Sequence, residues 1–76
     1  MNISVWATYN IYDEDTASCF EVGDIISLIT YIDEDYEEIT VKNAEISNIN
    51  EEMLTIELED ESEVEICIDN IIKLER

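Results

Sequence analysis

Leu54-Thr55-Ile56-Glu57-Leu58-Glu59-Asp60-Glu61-Ser62-Glu63-Val64-Glu65-Ile66-Cys67-Ile68 alternates apolar and polar residues twice, with a polar interruption between the two runs. A period of two places Leu54, Ile56 and Leu58 on one face and Thr55, Glu57 and Glu59 on the other, the signature of a half-buried strand. Val64, Ile66 and Ile68 repeat the pattern against Glu65, Cys67 and Asp69. The stretch therefore reads as a β-hairpin. With Leu58 opposite Val64, a three-residue loop of Asp60-Glu61-Ser62 sets Glu59 against Glu63, Glu57 against Glu65 and Thr55 against Cys67. A helix capped by Asn50 and opening with Glu51-Glu52 competes for the first run, but strict alternation fits it poorly.

Working outward, Ile25-Ile26-Ser27-Leu28-Ile29-Thr30-Tyr31-Ile32 is the strongest strand signal. Both of its faces are largely apolar, which suits a central strand or one that bends around a barrel. Ile39-Thr40-Val41 starts another strand, continued by Ala44, Ile46 and Ile49 after a phase shift near Asn43, as a bulge or bend would produce. Aromatic and β-branched residues from Ile3 to Tyr12 favour a strand ended by Asp13-Glu14-Asp15, with Thr16 to Phe20 a loop or short helical turn. Asn70 to Leu74 closes the chain as a turn and a short final strand. Proline is absent and Gly23 is the single glycine, so acidic clusters such as Asp33-Glu34-Asp35-Tyr36 must mark the boundaries.

Seventy-six residues make one domain, 1–76, with room for one core and none for an enclosed cofactor cavity. Twenty-one Asp and Glu stand against three bases, Lys42, Lys73 and Arg76, for a formal charge of −18. Such a balance usually signals disorder, but 46% of the residues are hydrophobic and fourteen are isoleucine, enough to fill a core. A folded chain with a surface of nearly one sign repels DNA, RNA and anionic lipid and attracts basic proteins. The sequence shows neither a secretory signal nor a bilayer-spanning run, so the expected compartment is the cytoplasm, with Cys19 and Cys67 reduced.

Catalysis is not expected. No histidine is present, a thiolate would form against an anionic field, and no glycine-rich phosphate loop exists. Asp33, Asp35 and Glu38, or Asp13 and Asp15, offer oxygen ligands to calcium, yet neither run has the glycine and distal glutamate of a calcium loop. No cofactor and no metal site are therefore assigned. What remains is the hairpin's grid of carboxylates, since like charges opposed across strands destabilise a sheet. Two readings of it stand: a solvated edge that resists aggregation through charge, and an anionic recognition surface.

The stretch from Val22 to Leu74 resembles a small SH3-like or Sm-like barrel. Val22-Gly23-Asp24 enters a strand, Ile46-Ser47-Asn48-Ile49 leads into Leu54 to Leu58, and Ile68-Asp69-Asn70-Ile71-Ile72-Lys73-Leu74 closes the chain. The last thirty residues are similar in rhythm to the YolD-like family of small bacterial and phage-borne proteins. By charge and size the chain resembles the DNA-mimic class, whose members occupy nucleic-acid-binding sites and inhibit the proteins that carry them.

The resulting expectation is a mostly β, five-stranded antiparallel SH3-like barrel without enzymatic activity. It would bind a basic, nucleic-acid-binding protein of a host or phage-defence system and neither nucleic acid nor membrane directly. The partner-binding residues are Glu57, Glu59, Glu63 and Glu65 with Asp33, Glu34, Asp35, Tyr36, Glu37 and Glu38. The alternative is a structural or regulatory subunit that oligomerises, for instance as a homodimer, through a sheet edge, its acids serving solubility.

Overall fold

Isoleucine-rich alternation produces strands wherever acidic turns allow the chain to reverse. In the computed structural model, which describes residues 3–7, 10–13 and 18–76, the chain is mostly β and contains no α-helix among those residues. Strands β1 (Ile3–Ala7), β2 (Asn10–Asp13) and β3 (Ser18–Glu21) form a three-stranded antiparallel meander. Strands β4 (Ile25–Ile32), β5 (Glu38–Ile49), β6 (Met53–Glu57), β7 (Glu63–Cys67) and β8 (Ile71–Glu75) form a five-stranded antiparallel sheet in the order β7-β6-β5-β4-β8. A 3-10 turn, Ile68–Asn70, carries the chain from β7 towards β8. Strands β7 and β8 are the two ends of the sheet, and no ladder joins them.

The amino-terminal expectation needs two corrections. The run from Ile3 to Tyr12 is two paired strands, not one, and Ser18 to Phe20 belongs to a third, not to a loop or helical turn. Ile11 opposite Phe20 explains the difference: both side chains are buried in the same core as the larger sheet, which draws Phe20 into a strand. Glu14 to Ala17, including part of the Asp13-Glu14-Asp15 cluster, lie outside the described residues.

The core is built from eight isoleucines of β4 to β8 and the 3-10 turn, Ile26, Ile29, Ile46, Ile49, Ile56, Ile66, Ile68 and Ile71, with Leu54, Leu74, Ile11 and Phe20. Strand β4 buries Ile26, Ile29 and Thr30, which breaks a strict two-residue period. Ile26 faces Ala44 and Ile29 faces Val41 in one unbroken register, so both strands change their buried side between these pairs. Asn43 lies in that interval at φ 59°, and the ribbon coils there. The phase shift expected near Asn43 is thus a backbone bend, while the bulge in register comes later, between Ile46 and Asn48 opposite β6. Buried Thr30 pairs its hydroxyl with that of Thr40 at 3.0 Å, which leaves no polar cost.

Without proline and with one glycine, acidic and amide side chains close the hairpins. Asp33 Oδ1 accepts from the amides of Asp35 and Glu37, both at 2.9 Å, in the β4–β5 loop. Asn50 Oδ1 accepts from the amides of Glu52 and Met53 between β5 and β6. The Asn50 signal is therefore real, but it closes a hairpin rather than capping a helix. Asp60 Oδ1 accepts from the Ser62 amide at 3.0 Å between β6 and β7. Hydrogen bonds from the Ser62 hydroxyl and then from its amide hold the exposed Asp60 carboxyl below the usual carboxylate range.

Two of these loops share one geometry. Asp33 and Leu58 each donate to a carbonyl four residues on, Glu37 and Ser62, and the third loop residue, Tyr36 or Glu61, takes a left-handed backbone at φ 61° or 70°. Glycine or asparagine is the usual occupant of that slot, and a larger L-residue there costs about 1–2 kcal/mol. Replacing Glu61 by glycine is expected to raise stability by about 1 kcal/mol, roughly 4–8 °C in melting temperature for a domain of this size. Glu61→Ala removes the same charge and keeps the strained backbone. Thermal melts showing equal gains from both variants would refute the backbone explanation.

Candidate functional site

In the three strands β5, β6 and β7, one face meets the core and the other meets solvent. Ile46, Ile56 and Val64 align across them on the inner face. One residue along, Glu45 faces Glu57 and Glu57 faces Glu63, so three carboxylates stand in a row on the outer face. Neighbouring strands lie about 4.8 Å apart, which makes this row a closely spaced line of negative charge. Glu63 Oε2 accepts from the Ser47 hydroxyl at 3.0 Å, reaching over β6 to the bulge of β5. Glu65, opposite Thr55, extends the acidic face along β7.

This register differs from the one expected by two residues. Glu57 faces Glu63 rather than Glu65, Thr55 faces Glu65 rather than Cys67, and Met53 is the partner of Cys67. Glu59 has no cross-strand partner: with Asp60 and Glu61 it forms the three-residue loop, one position earlier than the expected Asp60-Glu61-Ser62. Asp60 decides the matter, because its carboxylate captures the Ser62 amide and draws Ser62 out of the loop into the closing pair. A shift of two keeps every residue on its face. Glu57, Glu63 and Glu65 remain on the outer face, Glu59 leaves it for the loop, and Glu45 joins it, a residue that sequence reasoning missed. Its signal was there: Ala44 and Ile46 are buried, so Glu45 between them points outward.

The second expected cluster lies on the β4–β5 connection. Glu34, Asp35, Tyr36, Glu37 and Glu38 are exposed and Asp33 is half-buried, its Oδ1 committed to the loop's own amides. Tyr36 is 90% exposed, a full aromatic ring at the loop tip among carboxylates. Tyrosine in that setting suits a protein interface, where a rigid ring adds contact area.

A groove of ≈ 370 Å³ brings part of each cluster together, with Asp33, Glu34 and Asp35 on one side and Glu65 on β7 on the other. Tyr31, Ile32, Met53, Val64 and Cys67 line it between those acids. Burial, and then the neighbouring Asp33 carboxylate, push the Tyr31 phenol above its ordinary range. Glu57 and Glu63 lie outside this lining, so the carboxylate row and the groove adjoin through β7 without being one cavity.

Of the three bases, Lys42 on β5 lines a second groove with Glu59 and Asp60, and the other two form ion pairs elsewhere. Arg76 pairs with Asp24 at 3.0 Å, donates to the Cys19 carbonyl and sits 4.8 Å over the Phe20 ring, stapling the end of β8 to the β3–β4 turn. Lys73 pairs with Glu75 at 3.4 Å on β8 itself. Among the described residues neither ion pair includes Glu45, Glu57, Glu63 or Glu65. No group of three or more Asp, Glu, Cys or His residues among them is arranged to hold a metal ion. Cys19 is exposed and Cys67 half-buried, both free thiols. No described helix is long and apolar enough to cross a membrane.

No protein-family model, curated protein or solved structure matches this chain.

Proposed function

We propose that this chain is a non-enzymatic, cytoplasmic, acidic protein-binding module that occludes the basic nucleic-acid-binding surface of a partner. The observation that carries this reading is the row Glu45–Glu57–Glu63, three like charges opposed in register with no base among them. Each such pair works against the sheet, where a lysine at the middle position would contribute about 0.2–1 kcal/mol per pair instead. Solubility needs charge but not this alignment. A surface built to present phosphate-like charge to a cationic site does need it. Glu65 and the loop from Asp33 to Glu38, with Tyr36 at its tip, extend the surface, and a phage or mobile-element inhibitor of the DNA-mimic kind is the class that fits.

The fold in this reading is an SH3-like barrel. Its support is the order β8-β4-β5-β6-β7, the coiling of β4 and β5, and the 3-10 turn ahead of the last strand. Closure would come from the core between β7 and β8 rather than from a ladder.

Among the described residues no strand pairs with the outer side of β7 or β8, which favours a second reading, a subunit that self-associates by edge pairing through one of them. Salt separates the two. Occlusion predicts that affinity for a captured basic partner falls at least about tenfold between roughly 50 and 200 mM NaCl, as charge pairing is screened. Edge pairing between two copies of charge −18 predicts the opposite, self-association that strengthens with salt. Titration calorimetry for the partner and sedimentation for the chain alone report the two quantities. A salt-independent partner affinity would overturn the electrostatic reading.

A further inference from the structure

We propose that the groove between the β4–β5 loop and β7 receives the side chain of an arginine or lysine carried by the partner. The inference rests on the reading above that the partner is basic, and adds where and how one of its residues docks.

The lining has two characters. Tyr31, Ile32, Met53 and Val64 are half-buried and offer apolar surface, whereas Asp33, Glu34, Asp35 and Glu65 place carboxylates around it. A long cationic side chain matches both, its methylene stem covering apolar surface while its charged end stays among acids. The Tyr31 ring adds an aromatic group for a cation to approach. An apolar occupant would strip water from the carboxylates with nothing in return. An anionic occupant would meet four like charges. The volume of ≈ 370 Å³ lies near the lower end of the range for ligand sites, about 300–1,000 Å³, which suits one long side chain and its backbone. The loop wall is pre-set, because Asp33 Oδ1 ties down the amides of Asp35 and Glu37. Little ordering cost should accompany docking there.

Cys67 lines the same groove and reports its occupancy. With Cys19→Ser in place it is the single thiol. The probe is an acetylated, amidated peptide of alternating arginine and glycine, and its citrulline counterpart is the neutral control. At low salt the arginine peptide should slow Cys67 alkylation by iodoacetamide at least about fivefold, and the citrulline peptide should not slow it. Glu65→Lys should weaken arginine-peptide binding about tenfold, against about threefold or less for Glu21→Lys on β3, an equal change of charge outside both the groove and the carboxylate row. Equal weakening by the two variants, with Cys67 alkylation unaffected by the peptide, would overturn the groove while leaving the acidic module standing. Absence of any arginine-peptide binding at low salt would overturn both.

Discussion

Reversing Glu45 and Glu63 to lysine should abolish partner binding and, at the same time, make the protein more stable. In the present row, Glu57 faces a like charge on each side. With lysine at both flanks each pair becomes attractive. Cross-strand charge pairs are worth about 0.2–1 kcal/mol, and comparable repulsion is relieved, so a gain of about 1–2 kcal/mol is expected. Loss of the Ser47 hydroxyl's bond to Glu63 subtracts little, because both groups are accessible to water. The melting temperature should therefore rise by roughly 5–10 °C, as about 4–8 °C accompanies each kcal/mol in a domain of this size. Binding moves the other way. Each reversal replaces an attraction at a cationic surface with a repulsion, and about tenfold per site gives a loss on the order of 100-fold. Higher stability with lower affinity is the pattern of a surface held for recognition. Lower stability, or unchanged affinity, would remove the row from the binding surface.

Much of this was legible in the chain. The alternation from Leu54 to Leu58 and from Val64 to Ile68 identified β6 and β7, because one buried face imposes a period of two on any strand. The two apolar faces of Ile25 to Ile32 matched a strand that changes its buried side along its length. Register was harder, since a slip of two leaves every face unchanged and the apolar pattern is blind to it. Only the loop could fix it, and the left-handed slot there is filled by Glu61, which carries none of the glycine or asparagine signal normally used to find it. Ser18 to Glu21 failed for another reason. Four residues are too few for a period to emerge, and what makes them a strand is tertiary, the burial of Phe20 opposite Ile11. The groove was invisible because its walls, residues 31–35 and 64–67, are distant in sequence and meet only through the curvature of the sheet.

If the carboxylates of β5, β6, β7 and the β4–β5 loop stand in for phosphates, then nucleic acid and this protein must compete for one surface on the partner. Competition at a shared site is strict: saturating one ligand removes the other, whatever the partner's identity. Phosphate-rich duplex carries about one charge per 1.7 Å of axis, so it is the stronger polyanion at equal ionic strength. The direct measurement is elution from the immobilised chain, loaded with bacterial lysate at low salt, by a short DNA duplex with ionic strength held constant. Occlusion predicts that the retained protein leaves with the duplex in stoichiometric complex. Retention of that protein at saturating duplex, or its departure as a ternary complex with this chain and the DNA, would contradict it.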